Sequence, residues 1–80
     1  MEVDARGSLC PQPIIDIARF AAKAPAGTVV TLLADDPAAD ADVPAWCRMR
    51  GHDLLERVSL TADEGGGLGY RIELRSSGGA

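Results

Sequence analysis

The chain predicts a two-layer α/β sandwich of order β-α-β-α-β-β, with a mixed four-stranded sheet carrying two helices on one face. Three observations carry that expectation. Helical apolar stripes alternate with a β-branched run through the first two thirds of the sequence. A proline marks the opening of each helical stretch, at Pro11 and at Pro37. The last third holds two strand-like runs close enough to pair as an antiparallel hairpin. Residues 1–75 read as one small domain and Ser76–Ala80 as a frayed tail. Phe20, Trp46 and Tyr70 are the only aromatic residues, so the core must be aliphatic.

Glu2–Ala5 suit a short first strand, and Arg6-Gly7-Ser8 turn the chain. A helix is expected from about Pro11 to Ala24. Ile14, Ile17, Ala18, Ala21 and Ala22 form its apolar stripe, and Pro25-Ala26-Gly27 end it. Thr28–Ala34 is apolar on both faces, which predicts an interior strand. Asp35-Asp36-Pro37 repeats the helix-start pattern, with Asp36 as cap and Pro37 at the first position. The second helix carries Ala39, Val43, Trp46 and Cys47 on one stripe and closes at Gly51. Pro44 removes one of its hydrogen bonds, so its regular part is expected to begin either at Pro37 or near Asp42–Val43. Leu54–Thr61 and Leu68–Arg75 are the closing strands. Leu68, Tyr70, Ile72 and Leu74 share one face of the last, and Ala62–Gly67 forms a flexible loop between the two.

Composition excludes several functions. Eight basic residues are scattered through a chain of net charge −4, which argues against direct, stable nucleic-acid binding. No apolar run approaches the roughly 18 residues of a membrane span. The N-terminus lacks the basic-then-apolar pattern of a secretory signal, so a cytoplasmic protein is expected. Two cysteines, Cys10 and Cys47, neither frame a disulfide scaffold nor suggest a zinc site. Two reduced thiols are expected, with a Cys10–Cys47 bridge as the alternative.

Cys10 is the main candidate for chemistry. Pro11 suits the first helical position and Pro13 the first turn, leaving Cys10 at or near the N-cap. There it would face free backbone N–H groups and the positive end of the helix dipole, conditions that favour a thiolate. A half-buried, unreactive cysteine is the competing reading. Arg6 is the nearest source of positive charge, and Gly7 lets the loop present the sulfur. If the first two strands are parallel, their C-terminal ends share one sheet edge, and Asp35 and Asp36 become neighbours of the thiol. Their carboxylates would oppose ionisation, less so when engaged in helix capping.

The remaining candidates have plainer readings. Cys47 lies on an apolar stripe and suits core packing, with a resolving thiol as the alternative. Asp35 and Asp36 suit capping better than metal or acid–base work. The run Asp35–Asp42 is no calcium loop, because its sixth position is Asp40 and its twelfth Trp46. Its acidic face could dock a basic partner. His52, just past Gly51, reads as a surface or helix-end residue. Trp46 and Tyr70 read as core, with Tyr70 also suited to a partner surface.

Three segments together resemble the TusA/SirA-like sulfur-carrier family: Asp4–Pro13 with its Cys10-Pro11-Gln12-Pro13 motif, Ala34-Asp35-Asp36-Pro37, and Asp42–Cys47. The likeness runs from about Val3 to Arg75. Gly65-Gly66-Gly67 departs from the pattern and leaves partner choice open. The resemblance implies a sulfurtransferase of two-layer α/β fold that carries a persulfide on Cys10. It implies a cysteine desulfurase or rhodanese-type donor and a downstream acceptor protein, in tRNA thiolation, molybdenum-cofactor or sulfur-oxidation routes. It implies no cofactor and no metal. Residue chemistry agrees, since a thiolate attacks a donor persulfide without either. The rival functions are a thiol-based redox regulator and a non-catalytic protein-binding module. A monomer or weak dimer is expected, since one sheet face is left uncovered.

Overall fold

The β-branched run at the middle of the chain becomes an interior strand, flanked by a parallel neighbour on one side and an antiparallel one on the other. The computed structural model describes residues 1–9 and 11–75; Cys10 and the tail expected at 76–80 lie outside the described residues. In chain order the elements are β1 (Glu2–Asp4), α1 (Gln12–Lys23), β2 (Val29–Ala34), α2 (Ala39–Arg50), β3 (Asp53–Ser59), a 3-10 turn (Ala62–Glu64) and β4 (Leu68–Glu73). The sheet order is β1-β2-β4-β3, with β1 and β2 parallel and the other two pairs antiparallel. This is the mixed four-stranded sheet and two-helix architecture expected from the sequence.

The core lies between the helices and one sheet face. Alternate residues Val30, Leu32 and Ala34 of β2, and Tyr70 and Ile72 of β4 with Leu74 beyond it, meet Ile17 and Ala21 of α1 and Ala39, Val43, Trp46 and Cys47 of α2. Fully burying a side chain such as Ile17, Leu32 or Ile72 contributes roughly 1.5–3 kcal/mol. The α1 stripe is rotated slightly from its expected course. Pro13, Ile17, Ala21 and Ala24 are buried, Ile14 and Ala18 lie at its margin, and Ala22 is exposed.

α2 runs unbroken through Pro44, so a regular start near Asp42 or Val43 is not what forms. Ala39 and Val43 are fully buried one turn apart, and this packing offsets the hydrogen bond that Pro44 lacks. The N-cap of α2 is Ala38 rather than Asp36; Asp36 instead holds the turn before the helix, its Oδ1 accepting from Ala38 N–H at 3.1 Å and its carbonyl from Ala39 N–H at 2.9 Å. The regular α-helix then starts two residues after Pro37. Gly51, at φ 75°, ends it, and His52 N–H donates to Cys47 O at 2.8 Å.

His52 is not a surface residue. It is buried against Trp46, with ring centroids 4.8 Å apart, and its Nδ1 accepts from Arg75 N–H at 3.1 Å. The Nε2 atom is buried without a hydrogen-bond partner among the described residues. Tyr70 is likewise wholly internal rather than at a partner surface. Its hydroxyl donates to Asp40 Oδ1 at 2.6 Å, and Arg57 grips the same carboxylate through two 2.7 Å bonds. These contacts, Arg57 first, hold the Asp40 pKa at about 2. β3 is an exposed edge strand with a bulge between Leu54 and Glu56, and it ends at Ser59 rather than Thr61.

Two predictions follow from these buried polar contacts. Tyr70→Phe removes the donor to Asp40 and should cost about 1–2 kcal/mol, lowering Tm by about 5–10 °C in a thermal melt. Burial first, and the Arg50 charge second, hold the His52 pKa below its ordinary 6.5. The unfolded chain therefore takes the proton at higher pH than the folded one. The stability of neutral His52 is complete above the unfolded pKa and is lost as pH falls through the folded value. Melts between about pH 7 and pH 5 should show Tm falling in the native sequence, with a shallower slope in His52→Gln.

Candidate functional site

Parallel pairing sends β1 and β2 out at the same edge of the sheet, where their connections to the helices lie side by side. Asp4 stands opposite Leu33, and Ala5 N–H extends the pairing to Leu33 O at 2.8 Å. The chain then turns at Arg6-Gly7, with Gly7 at φ 86° in the left-handed region that glycine tolerates. On the neighbouring strand, Asp35 directly follows Ala34. Its two carboxylate oxygens each lie 3.0 Å from Gly7 N–H, which they share. A direct hydrogen bond therefore ties the β1–α1 loop to Asp35, while the expected nearness of the Cys10 thiol to Asp35 and Asp36 lies outside the described residues. Asp36 accepts from Ala38 N–H in the turn that leads into α2.

Arg6 is held on both edges of its guanidinium. Nε and Nη2 donate to the Asp4 carboxylate at 3.0 and 2.9 Å, and Nη1 donates to Glu64 O at 2.6 Å and Gly66 O at 3.3 Å. The Arg6 contacts, side chain first and backbone N–H second, bring the Asp4 pKa to about 2; Asp4 in turn raises that of Arg6. The Arg6 cation is thus matched by a carboxylate two residues away.

The loop at 61–67 is a built element rather than a flexible connection. Thr61 and Glu64 form a reciprocal capping box around the 3-10 turn. Gly65, Gly66 and Gly67 have φ of 96°, 75° and 82°. A Cβ on Gly65 would run into the Arg6 guanidinium, and one on Gly67 would lie 2.8 Å from Ala34 O and 3.2 Å from Asp35 Cβ. The loop thus packs against Arg6 and against Asp35, which holds Gly7. Sequence reading missed this, although Thr61-x-x-Glu64 before consecutive glycines is a capping-box signature.

At the start of α1 the helix register lies one residue later than expected. Pro11 is the N-cap and accepts from Ile15 N–H at 3.0 Å, while Pro13 is the second helical residue. Gln12 N–H is already donated to Leu9 O at 2.9 Å, and Pro13 has no N–H. The first turn therefore offers fewer free donors than a typical helix start, while its dipole remains. Leu9 is 77% exposed and Pro11 is exposed too, and Cys10 lies between them in sequence. Beside Pro11 runs a groove of about 250 Å³, lined by Pro11, Ile14, Asp42, Ala45, Trp46 and Met49.

Within the acidic run, Asp35 holds Gly7, Asp36 accepts from Ala38 N–H, and Asp40 is engaged by Arg57 and Tyr70. No group of three or more His, Cys, Asp or Glu residues that could hold a metal is present among the described residues. Among the described residues no helix is long and apolar enough to cross a membrane.

A small α/β sandwich whose shared strand edge carries the β1–α1 turn defines the structural class. A family model described as "Sulfurtransferase TusA" matches residues 1–74. A protein of Archaeoglobus fulgidus, named "Putative sulfur carrier protein", is 39% identical over 54 residues, covering 68% of this chain and 74% of the relative. The chain belongs to the TusA sulfurtransferase family.

Cys47 lies apart from this edge. It is free, 2% exposed and packed in the core, and burial first, with the Asp53 charge second, pushes its pKa up to about 11. A thiol in that state is a poor nucleophile. Iodoacetamide at about pH 8 should leave Cys47 unmodified in the folded protein and label it in denaturant, as read by peptide mass spectrometry.

Proposed function

We propose that the protein is a sulfur carrier whose Cys10 alternates between thiolate and persulfide. The observation that carries this reading is the Cys10-Pro11-Gln12-Pro13 run at the entry to α1, flanked by exposed Leu9 and Pro11, in a chain of this sulfurtransferase family. In the loading step the Cys10 thiolate attacks the outer sulfur of a donor persulfide. A bond forms between Cys10 Sγ and that sulfur, the donor S–S bond breaks, and the donor leaves as a thiolate. An acceptor thiolate then attacks the same outer sulfur and releases Cys10 as thiolate. The sulfur moves at one oxidation level, so neither an oxidant nor a metal enters the balance.

The relay operates between proteins: a cysteine desulfurase or rhodanese-type donor, and an acceptor in a tRNA-thiolation, molybdenum-cofactor or sulfur-oxidation route. It suits the cytoplasm, where thiols stay reduced. Exposed Leu9, next to Cys10 in sequence, and exposed Met49, in the lining of the groove with Pro11 and Ile14, offer partners apolar surface. Gly7 and Asp35 hold the loop that leads to Cys10, and Asp36, Pro11 and Pro13 shape the two helix starts. The buried state of Cys47 speaks against a redox regulator that uses it as a resolving thiol.

Incubation with a cysteine desulfurase and cysteine should add the mass of one sulfur atom to the protein. That gain should vanish in Cys10→Ala and persist in Cys47→Ala. A Cys10→Ala protein that still gains sulfur would sink the reading.

A further inference from the structure

Arg6 does work that the fold does not require. Ala5 is already buried and tied to Leu33 O, and α1 is anchored through Ile17 and Ala21, so neither β1 nor α1 needs the guanidinium to stay in place. The carbonyls it binds, on Glu64 and Gly66, belong to a loop that is mostly exposed and could hydrogen-bond to water instead. That loop is also longer than its connection demands. β3 and β4 are antiparallel neighbours, which two residues can join, yet the chain uses positions 60–67 and three left-handed glycines. The extra length delivers two carbonyls to Arg6 and a close contact at Gly67 to the Ala34–Asp35 exit of β2.

We infer that Arg6 is a positioning residue for sulfur transfer: it bridges Asp4 to the Glu64 and Gly66 carbonyls and so makes the Gly65–Gly67 loop part of the frame that presents Cys10. The inference rests on Cys10 being the sulfur-carrying thiol. The Arg6-Gly7 turn, three residues before Cys10, is gripped from three directions: by Asp4 in its own strand, by Asp35 at the exit of β2, and by the loop at 64–66. Loss of any grip widens the range of loop conformations from which the thiol must attack. A misplaced nucleophile loses rate at the chemical step while partner binding is unchanged. Removing the Arg6 cation also leaves the Asp4 and Asp35 carboxylates on that turn without their counter-charge, which disfavours a thiolate nearby.

The test compares Arg6→Met, Gly65→Ala, their double variant and Gly51→Ala, with Cys10→Ala as the blank. Gly51→Ala introduces a side chain at φ 75° with nothing within 4 Å, so it strains the fold away from this edge. All are assayed well below their unfolding transitions for the rate and KM of sulfur acceptance from a cysteine desulfurase. The pH midpoint of Cys10 alkylation is read alongside. Arg6→Met should lower the rate by about ten- to a hundredfold at unchanged KM and move the alkylation midpoint upward. Gly65→Ala should act in the same direction, and the double variant should be no slower than the slower single, because both break one contact. Gly51→Ala should lower Tm and leave rate and midpoint as in the native protein. The proposal is overturned if Arg6→Met changes only Tm, or if Gly51→Ala slows transfer equally. Sulfur loading in Cys10→Ala would instead remove the reading on which it rests.

Discussion

Three residues of parallel pairing between β1 and β2, continued by Ala5 N–H to Leu33 O, are the constraint from which the rest of the edge follows. Parallel strands leave the sheet in the same direction, so the chain segments after Asp4 and after Ala34 must emerge together. An antiparallel β1 would have put the motif and Asp35 at opposite ends of the sheet. Because β2 is interior and β1 is the edge strand, the β1–α1 connection leaves from the rim of the sheet.

Polar contacts at this rim do what apolar packing does in the core. Exposed ion pairs are individually worth little to stability, so the Asp4–Arg6 pair is better understood by its geometry. A planar guanidinium presents donors on two edges, and here those edges address two segments some sixty positions apart in the chain. A lysine, with one compact ammonium, has no such pair of edges. The glycines opposite Arg6 and Asp35 are required twice over, by left-handed backbone and by the absence of room for a Cβ.

The environment of Cys47 sets the state of its thiol. Cys47 shares the helix stripe of Val43 and Trp46, faces the sheet, and is driven toward the neutral thiol by desolvation. Cys10 precedes Pro11, the N-cap of α1, in the sequence, and its neighbours Leu9 and Pro11 are exposed. The same helix that buries one thiol, α2, also walls the groove beside Pro11 with Ala45 and Met49.

Local chemistry alone determined much of this protein. The β-α-β-α-β-β order, the interior place of the Thr28–Ala34 run, the proline-marked helix starts and the buried stripe through Val43 and Cys47 all follow from periodicity, capping and proline geometry, which act over a few residues. The Cys-Pro-x-Pro run singled out one thiol for the same reason. Tertiary structure decided what depends on residues distant in the chain. It carried α2 straight through Pro44 because Ala39 and Val43 gain a core, and it buried His52 because Trp46 and the strand end at Arg75 close over it. It turned Arg6 from a lone nearby cation into a bridge to the 64–66 loop, and gave Asp35, Asp36 and Asp40 of the acidic run separate partners within the chain. No local pattern records such pairings, since a hydrogen bond between positions 6 and 66 exists only once the sheet has brought them together.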